Sequence, residues 1–455
     1  MMALTYDEVT KASGAVAHGV DLTKTMTDLT VDSRNVKPGG LFVALPGAHT
    51  DGHKFVPDVW AKGGVAMVAD SFQPIHGPAL VVPSPLDAMG TLTRRIVDAR
   101  GTIVVAVTGS VGKTSVKELT AAALGAKFAT GKSHGNYNTA IGLPMSYFRS
   151  DDGITHFVAE MGMRALGEIA ALTQIMPPQV AIITNIGPNH METLGSMDNI
   201  QRAKGEILLG LRPGGIAVLN YDDDRVRALA STIPNNQILW YGRQGGDCVV
   251  KEAVLTPHGT LITLEFRRNR LSLTIPYLGA HHGHNVAAAF LAAIAVGLTP
   301  EEAVRGVESV PPTSGRLQTV PLGTLTVLAD YYNASPLSMT MALDVLAHQP
   351  ATGRKIAVLG DMLELGVLEE QGHEQVGQEA ARRADIVLAV GPRSQKIAQG
   401  AQALGSHAVW VPDLDHAYDW LIQHLRAGDV MLLKASHGMM FETLHQRLEQ
   451  WGGPH

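Results

Sequence analysis

Short, largely apolar runs recur along the chain, and stretches with helical spacing follow most of them. Residues 103–107, 180–184 and 216–220 in the middle, and 325–329, 355–359, 386–390 and 430–433 towards the end, are rich in β-branched residues and lack polar alternation. Such runs suit strands buried on both faces of a parallel sheet. After the first of them Val116, Leu119, Ala122 and Ala123 fall at helical spacing. Regular strand–helix alternation predicts an α/β chain, with a parallel, Rossmann-like sheet in its last part. Between residues 249 and 275 the pattern changes to alternating strands in an antiparallel arrangement. The first 98 residues carry shorter elements: a turn at Pro38-Gly39, an apolar strand after it, a helix over 56–62 and a strand over 65–69.

At 455 residues the chain has room for about three domains of roughly 150 residues each. The Pro/Gly/Ser stretch 309–315 reads as a linker. The divisions expected are therefore 1–98, 99–313 and 314–455. An apolar fraction of 45% with 17% charged residues marks a packed protein. The net charge of −6 gives no reason to expect nucleic acid or an anionic membrane as partner. The single cysteine, Cys248, rules out an internal disulfide and a cysteine-rich metal site. The first 20 residues lack the apolar core of a secretion signal, and the longest apolar run, 286–298, is too short to span a bilayer. A cytoplasmic monomer is expected.

The chemistry concentrates where the first middle strand ends. Thr108-Gly109-Ser110-Val111-Gly112-Lys113-Thr114-Ser115 joins a buried strand to a helix N-terminus. Gly109 and Gly112 open backbone conformations that a Cβ hinders. Freed N–H groups and the helix dipole then favour a phosphate. Lys113 would reach the β/γ-phosphates of ATP, and the Thr114 hydroxyl would ligate Mg²⁺. The general phosphate loop has its first glycine five positions before the glycine of Gly-Lys. Here that position is Val107, so the pattern is the shorter Gly-x-x-Gly-Lys-Thr.

Other candidates sit at strand ends, where ligands bind in α/β sheets. Glu160 ends the run 156–159 and offers a hard oxygen donor to Mg²⁺. His190 lies just past the run 180–184. Asp222, Asp223 and Asp224 follow the run 216–220 and read as a helix start favoured by the dipole. Lys204 lies on a helix expected over 198–211, and Asn285 near the N-cap of an alanine-rich helix. No Gly-x-Gly-x-x-Gly follows the run 325–329, which argues against a dinucleotide.

These motifs together resemble the Mur ligase family, which joins amino acids or peptides to a carboxylate using ATP. Thr108 before the short glycine pattern carries the first part of the resemblance. Asp32-Ser33-Arg34, followed by KPGGLFVALPG and DGHKF, resembles the family's uridine-nucleotide domain. That implies Ser33 and Arg34 near a UDP-sugar, with Arg34 and Lys54 offered to its pyrophosphate. Asn136 and Asn138 lie in a loop similar to one that faces the substrate. Asn185 through His190 resembles an element contributing to a metal site, and Lys204 matches a lysine carbamylated in several members to hold a second Mg²⁺. His284-Asn285 resembles the adenine-contacting position, and Gly315-Arg316 a pair that reaches the nucleotide phosphates. The resemblance thus implies that ATP is held by Thr108 to Ser115, Asn285, Arg316 and Asp330. It implies metal ligation by Thr114, Glu160, His190 and Lys204, and catalysis by Lys113, His190, Lys204 and Arg316.

The loop Asp330-Tyr331-Tyr332-Asn333-Ala334-Ser335-Pro336 is the most discriminating stretch. It resembles Asp-Asp-x-Tyr-Asn-Ala-Asn-Pro of the members that add D-alanyl-D-alanine to UDP-N-acetylmuramoyl-tripeptide. Ala329 and Ser335 depart from that pattern. Tyr332, Asn333 and Ser335 are the implied dipeptide contacts. Lys434-Ala435-Ser436-His437 resembles a Lys-Gly-Ser-Arg element, and His373, Lys434 and Ser436 either line the cleft or pack at element ends. Two rivals remain at this point: a folylpolyglutamate-synthase-like amide ligase, and a phosphate-loop module that binds nucleotide without ligation.

Overall fold

A computed structural model describes residues 2–454 apart from 48–49, 235–236, 257–258 and 313–315. The expected linker residues Thr313, Ser314 and Gly315 therefore lie outside the described residues. Three sheets follow one another along the chain, each built from one continuous stretch.

The first contains β1 (Val16–His18), β2 (Leu29–Thr30), β3 (Leu41–Val43), β4 (Val65–Ala69) and β5 (Ala79–Val82), in the order β1-β5-β4-β3-β2. All its pairings are parallel except β1 with β5. The second has nine strands: β6 (Ile103–Thr108), β7 (Thr130–Lys132), β8 (His156–Glu160), β9 (Val180–Ile183), β10 (Ile216–Asn220), β11 (Ile238–Gly242), β12 (Cys248–Thr256), β13 (Gly259–Phe266) and β14 (Asn269–Ile275). Its order is β14-β13-β12-β11-β10-β9-β6-β8-β7. The β12–β13–β14 pairs are antiparallel, as the alternating pattern predicts, and extend an otherwise parallel sheet. The third holds β15 (Gln318–Leu322), β16 (Leu325–Ala329), β17 (Lys355–Gly360), β18 (Ile386–Val390), β19 (His407–Val411) and β20 (Val430–Lys434), in the order β15-β16-β20-β17-β18-β19. Only β15 with β16 runs antiparallel there.

Strands β8, β9, β18 and β20 are buried along their whole length, because helices cover both faces. One core runs from Met2 to Leu229 and joins the first sheet to one face of the second. The other face of the second sheet closes on helices Lys113–Gly125 and His282–Ala295. Most element ends fall within a residue of the sequence expectation, and two that bear on the site differ from it. The helix carrying Lys204 spans Met197–Leu209, stopping at Gly210. The alanine-rich helix begins at His282, so Asn285 sits inside its first turn instead of capping it.

Candidate active site

The turn from β6 into helix Lys113–Gly125 is the centre of a cavity of about 1650 Å³. Gly109 has φ 148° and Gly112 φ 90°, conformations that L side chains rarely adopt. A Cβ on Gly112 would come within 2.7 Å of Asn285 Oδ1. Ser110 N–H donates to the Asn185 carbonyl at 2.9 Å, and Val111 N–H to Asn185 Oδ1 at 2.9 Å. The N–H groups of Gly112, Lys113, Thr114 and Ser115 have no partner among the described residues. They converge at a helix N-terminus, which is a ready anion site.

Lys113 folds back over this turn, its Nζ donating to Gly109 O at 2.7 Å and Ser110 O at 3.4 Å. Desolvation lowers its pKa, Glu160 pulls against that, and Arg316 adds to the lowering. Thr114 is buried, and its Oγ1 donates to Glu160 Oε2 at 2.8 Å. The same oxygen accepts from Arg316 Nη2 at 2.8 Å. Glu160 Oε1 accepts from Asn138 Nδ2 at 3.1 Å. The fully buried Lys117 reaches Glu118 Oε1 at 3.3 Å and Glu160 Oε2 at 3.7 Å. A hydroxyl and a carboxylate thus stand side by side as hard donors next to the free amides. Among the described residues no three His, Cys, Asp or Glu side chains converge on one point.

His190 begins the short helix Met191–Leu194 with φ 60°. Its Nδ1 is 2.6 Å from Glu364 Oε2, outside hydrogen-bond geometry. Desolvation holds the imidazole below its usual pKa against the pull of Glu364, with Lys204 and Lys113 adding to the lowering. Lys204 is buried, and no anion partners it among the described residues. Burial first, and the nearby Lys113 second, hold its amine well below the ordinary lysine range.

The C-terminal part supplies the facing wall. The Arg316 guanidinium stacks 4.1 Å from the Tyr332 ring centre. Asp330, at the end of β16, accepts from Lys434 Nζ at 2.7 Å, and Lys434 also donates to Asn333 O at 2.9 Å. Ser335 caps helix Pro336–His348 in a reciprocal box with Ser338, so its hydroxyl is engaged in the cap.

Of the candidates of the middle and last parts, these line the cavity: Thr108 to Ser115, Asn136, Asn138, Glu160, His190, Lys204, Asn285, Arg316, Asp330, Tyr332, Asn333 and Ser335. Lys434 and Ser436 line it too. His373 does not. It is buried, accepts from Met362 N at Nε2 and donates from Nδ1 to Glu369 O, so it packs an element end. Ser33, Arg34 and Lys54 also lie outside the cavity lining. Ser33 and Arg34 form a 3₁₀ turn tied to Lys62, and Asp32 grips the Arg34 guanidinium at 2.8–3.2 Å. The Arg34 side chain holds the Asp32 carboxyl down at about 2.

The sequence names Asn185 only within an element resembling a metal site, and it does not show Lys117 against Glu160, the contact of Glu364 with His190, or the His284–Asp222 pair, in which Nε2 and Oδ2 lie 2.7 Å apart. Asn185 stands just past β9 as Glu160 stands at the end of β8, so the same strand-end argument reaches it.

Three family models cover the chain in succession. "Mur ligase family, catalytic domain" matches residues 25–96, "Mur ligase middle domain" 107–293, and "Mur ligase, glutamate ligase domain" 315–437. The UDP-N-acetylmuramoyl-tripeptide–D-alanyl-D-alanine ligase of Escherichia coli is 36% identical over 460 aligned positions, covering 99% of this chain and all of that one. The MurF crystal structure from Acinetobacter baumannii superposes with TM-score 0.90 at 30% identity, covering 99% of both chains. MurF ligase from Thermotoga maritima in complex with ADP superposes with TM-score 0.82 at 28% identity, covering 93% of this chain and 97% of that one. With the short phosphate turn, the facing arginine and full-length likeness in agreement, the chain belongs to the Mur ligase family.

Proposed function

We propose that the protein is an ATP-dependent ligase that joins D-alanyl-D-alanine to the terminal carboxylate of UDP-N-acetylmuramoyl-tripeptide, releasing ADP and phosphate, in peptidoglycan precursor synthesis. One observation carries this reading: the phosphate turn, Arg316 and the Asp330–Ser335 loop share a single cavity. The folylpolyglutamate-synthase-like rival lacks support from the N-terminal match over residues 25–96. A module that only binds nucleotide gives no reason for the Asp330–Ser335 loop to face the phosphate turn.

The free amides of residues 112–115 hold the β- and γ-phosphates, and Lys113 swings from Gly109 O onto them. The substrate carboxylate oxygen attacks the γ-phosphorus, the bond to the bridging oxygen breaks, and ADP leaves an acyl phosphate. Lys113 and Arg316 offset the repulsion between the two anions. The dipeptide amine then attacks the acyl carbon and loses a proton. The tetrahedral intermediate expels phosphate and leaves the amide. Positioning of the two reactants in one enclosed site supplies much of the rate.

Thr114 and Glu160 fit a Mg²⁺ ion, because both present hard oxygens beside the phosphate amides. The ion would neutralise phosphate charge. His190 and Lys204 would hold a second ion once Lys204 carries a carbamate, and a buried amine whose pKa is lowered by desolvation suits that modification. Asn285 would meet the adenine edge, Tyr332 and Asn333 the dipeptide, and Asn136 and Asn138 the tripeptide. Ser33, Arg34 and Lys54 would hold the UDP end. The division near residues 98 and 313 goes with this reading, as does a cytoplasmic monomer. Among the described residues no helix is long and apolar enough to cross a membrane.

Phosphate release from ATP with UDP-muramoyl-tripeptide, with and without D-alanyl-D-alanine, tests the proposal. Release that requires both substrates, with a pentapeptide product by mass, is the expected result. Release with ATP alone, or with a folate and glutamate, overturns it.

A further inference from the structure

The phosphate turn is two residues shorter than the general loop, since its first glycine is Gly109 and not residue 107. A short turn with two positive-φ glycines has few contacts of its own to hold its shape, and glycine loses the most backbone freedom when ordered. The neighbouring strand supplies what the turn lacks. β6 and β9 are adjacent and parallel, with Thr108 opposite Ile183. The chain leaving β9 therefore runs alongside the turn. Thr184 Oγ1 donates to Val111 O at 2.7 Å. Asn185 uses both ends of its carboxamide on the same residue: Oδ1 accepts from Val111 N–H, and Nδ2 donates to Val111 O, each at 2.9 Å. Its own carbonyl takes the Ser110 N–H. Two residues on, Gly187 and the Ser110 hydroxyl exchange bonds of 2.8 and 3.0 Å.

We infer that Asn185 is a positioning residue for the nucleotide. Its two-sided grip on Val111 fixes the turn so that the amides of Gly112, Lys113, Thr114 and Ser115 already point at the phosphate, and it withdraws the Ser110 and Val111 amides from phosphate binding. Only a carboxamide serves both ends of the grip. An aspartate cannot donate to the Val111 carbonyl, and it would bring a second negative charge beside the phosphates. Without the grip, the turn must be ordered when nucleotide binds, and affinity falls by that ordering cost. Thr184 works on the same carbonyl from the other side, and it gives the inference a second, independent handle.

The inference needs nucleotide binding but not ligation, so ADP with Mg²⁺ in titration calorimetry is the probe. Asn185→Ala is expected to weaken ADP about 10- to 30-fold, the loss of two backbone-directed hydrogen bonds. It should raise KM for ATP while KM for UDP-muramoyl-tripeptide stays within about twofold, a split that general loosening of the fold does not produce. Thr184→Val, close to isosteric, is expected to weaken ADP several-fold, and Thr184→Ser, which keeps the hydroxyl, to restore it. ADP affinity within twofold of the parent in folded Asn185→Ala overturns the inference. Should Asn185→Ala fail to fold, equal ADP affinity in Thr184→Val and Thr184→Ser overturns it instead. ADP binding by a protein that never forms the pentapeptide overturns the ligase reading alone and leaves the grip standing.

Discussion

Arg316 and Thr114 are 202 positions apart, yet Arg316 Nη2 lies 2.8 Å from Thr114 Oγ1. The guanidinium is braced from behind by the Tyr332 ring. A cation from the C-terminal part is thereby held at the lip of the phosphate cradle, on a hydroxyl that also touches Glu160.

Arg316→Ala should therefore cut the rate of ligation about 10²- to 10³-fold, the usual cost of removing one charge that meets the developing anion. ADP affinity should change far less. Arg316→Lys should recover little, because an ammonium cannot stack on Tyr332 and span the site as a planar fork does. Steady-state phosphate release and ADP titration on the same preparations separate the two effects.

Lys113→Met should abolish phosphate release, by at least about 10³-fold, with little loss of stability. Among the described residues the Lys113 ammonium donates hydrogen bonds only to the backbone oxygens of Gly109 and Ser110. An unchanged melting temperature with no turnover is the expected pair of results, and turnover within tenfold of the parent would count against the assignment.

His373 stands on the other side of that distinction. It is buried and bridges the Met362 amide to the Glu369 carbonyl. His373→Leu leaves both groups unpartnered and should cost about 1–3 kcal/mol of stability. Activity per folded molecule should stay within about twofold, measured beside urea unfolding of the last domain.

A second stability effect follows pH. Asp429 is buried beneath Arg354. Burial pushes its carboxyl up, but the Arg354 side chain and the Arg354 and Arg426 amides together hold it below the usual range. A carboxyl lowered in the folded state contributes its full stability above the unfolded value of about 3.9 and loses it as pH falls through the folded value. Asp429→Asn should cost about 2–4 kcal/mol at pH 7, and its melting temperature should fall less than the parent's between pH 4 and 3. Calorimetry of both proteins across that window checks the sign.

How much of this was legible in the sequence depends on how far apart the partners are. Lys113 and Thr114 declared themselves because a strand, two glycines and a helix start lie within a dozen residues. Glu160 followed from its place at a strand end. The antiparallel extension of the middle sheet was visible in the alternation of β12 to β14. The grip of Asn185 on Val111 was not, because it depends on β6 and β9 being neighbours, and strand order is written nowhere locally. Lys117 carries no local signal, and it is burial against Glu118 and Glu160 that brings it to the site. Ser335 was legible by its loop, and only the structure shows that its hydroxyl also closes a helix cap.

The serial arrangement of the sheets also sets an order of events during synthesis. Strands of the three sheets come from residues 16–82, 103–275 and 318–434, with no strand shared between them. As the chain leaves the ribosome at about 5–20 residues per second, the sheets close one after another. The phosphate amides belong to the second, and Arg316 and Asp330 arrive with the third. Until then a growing chain carries the glycine turn of the second sheet without the arginine that faces it.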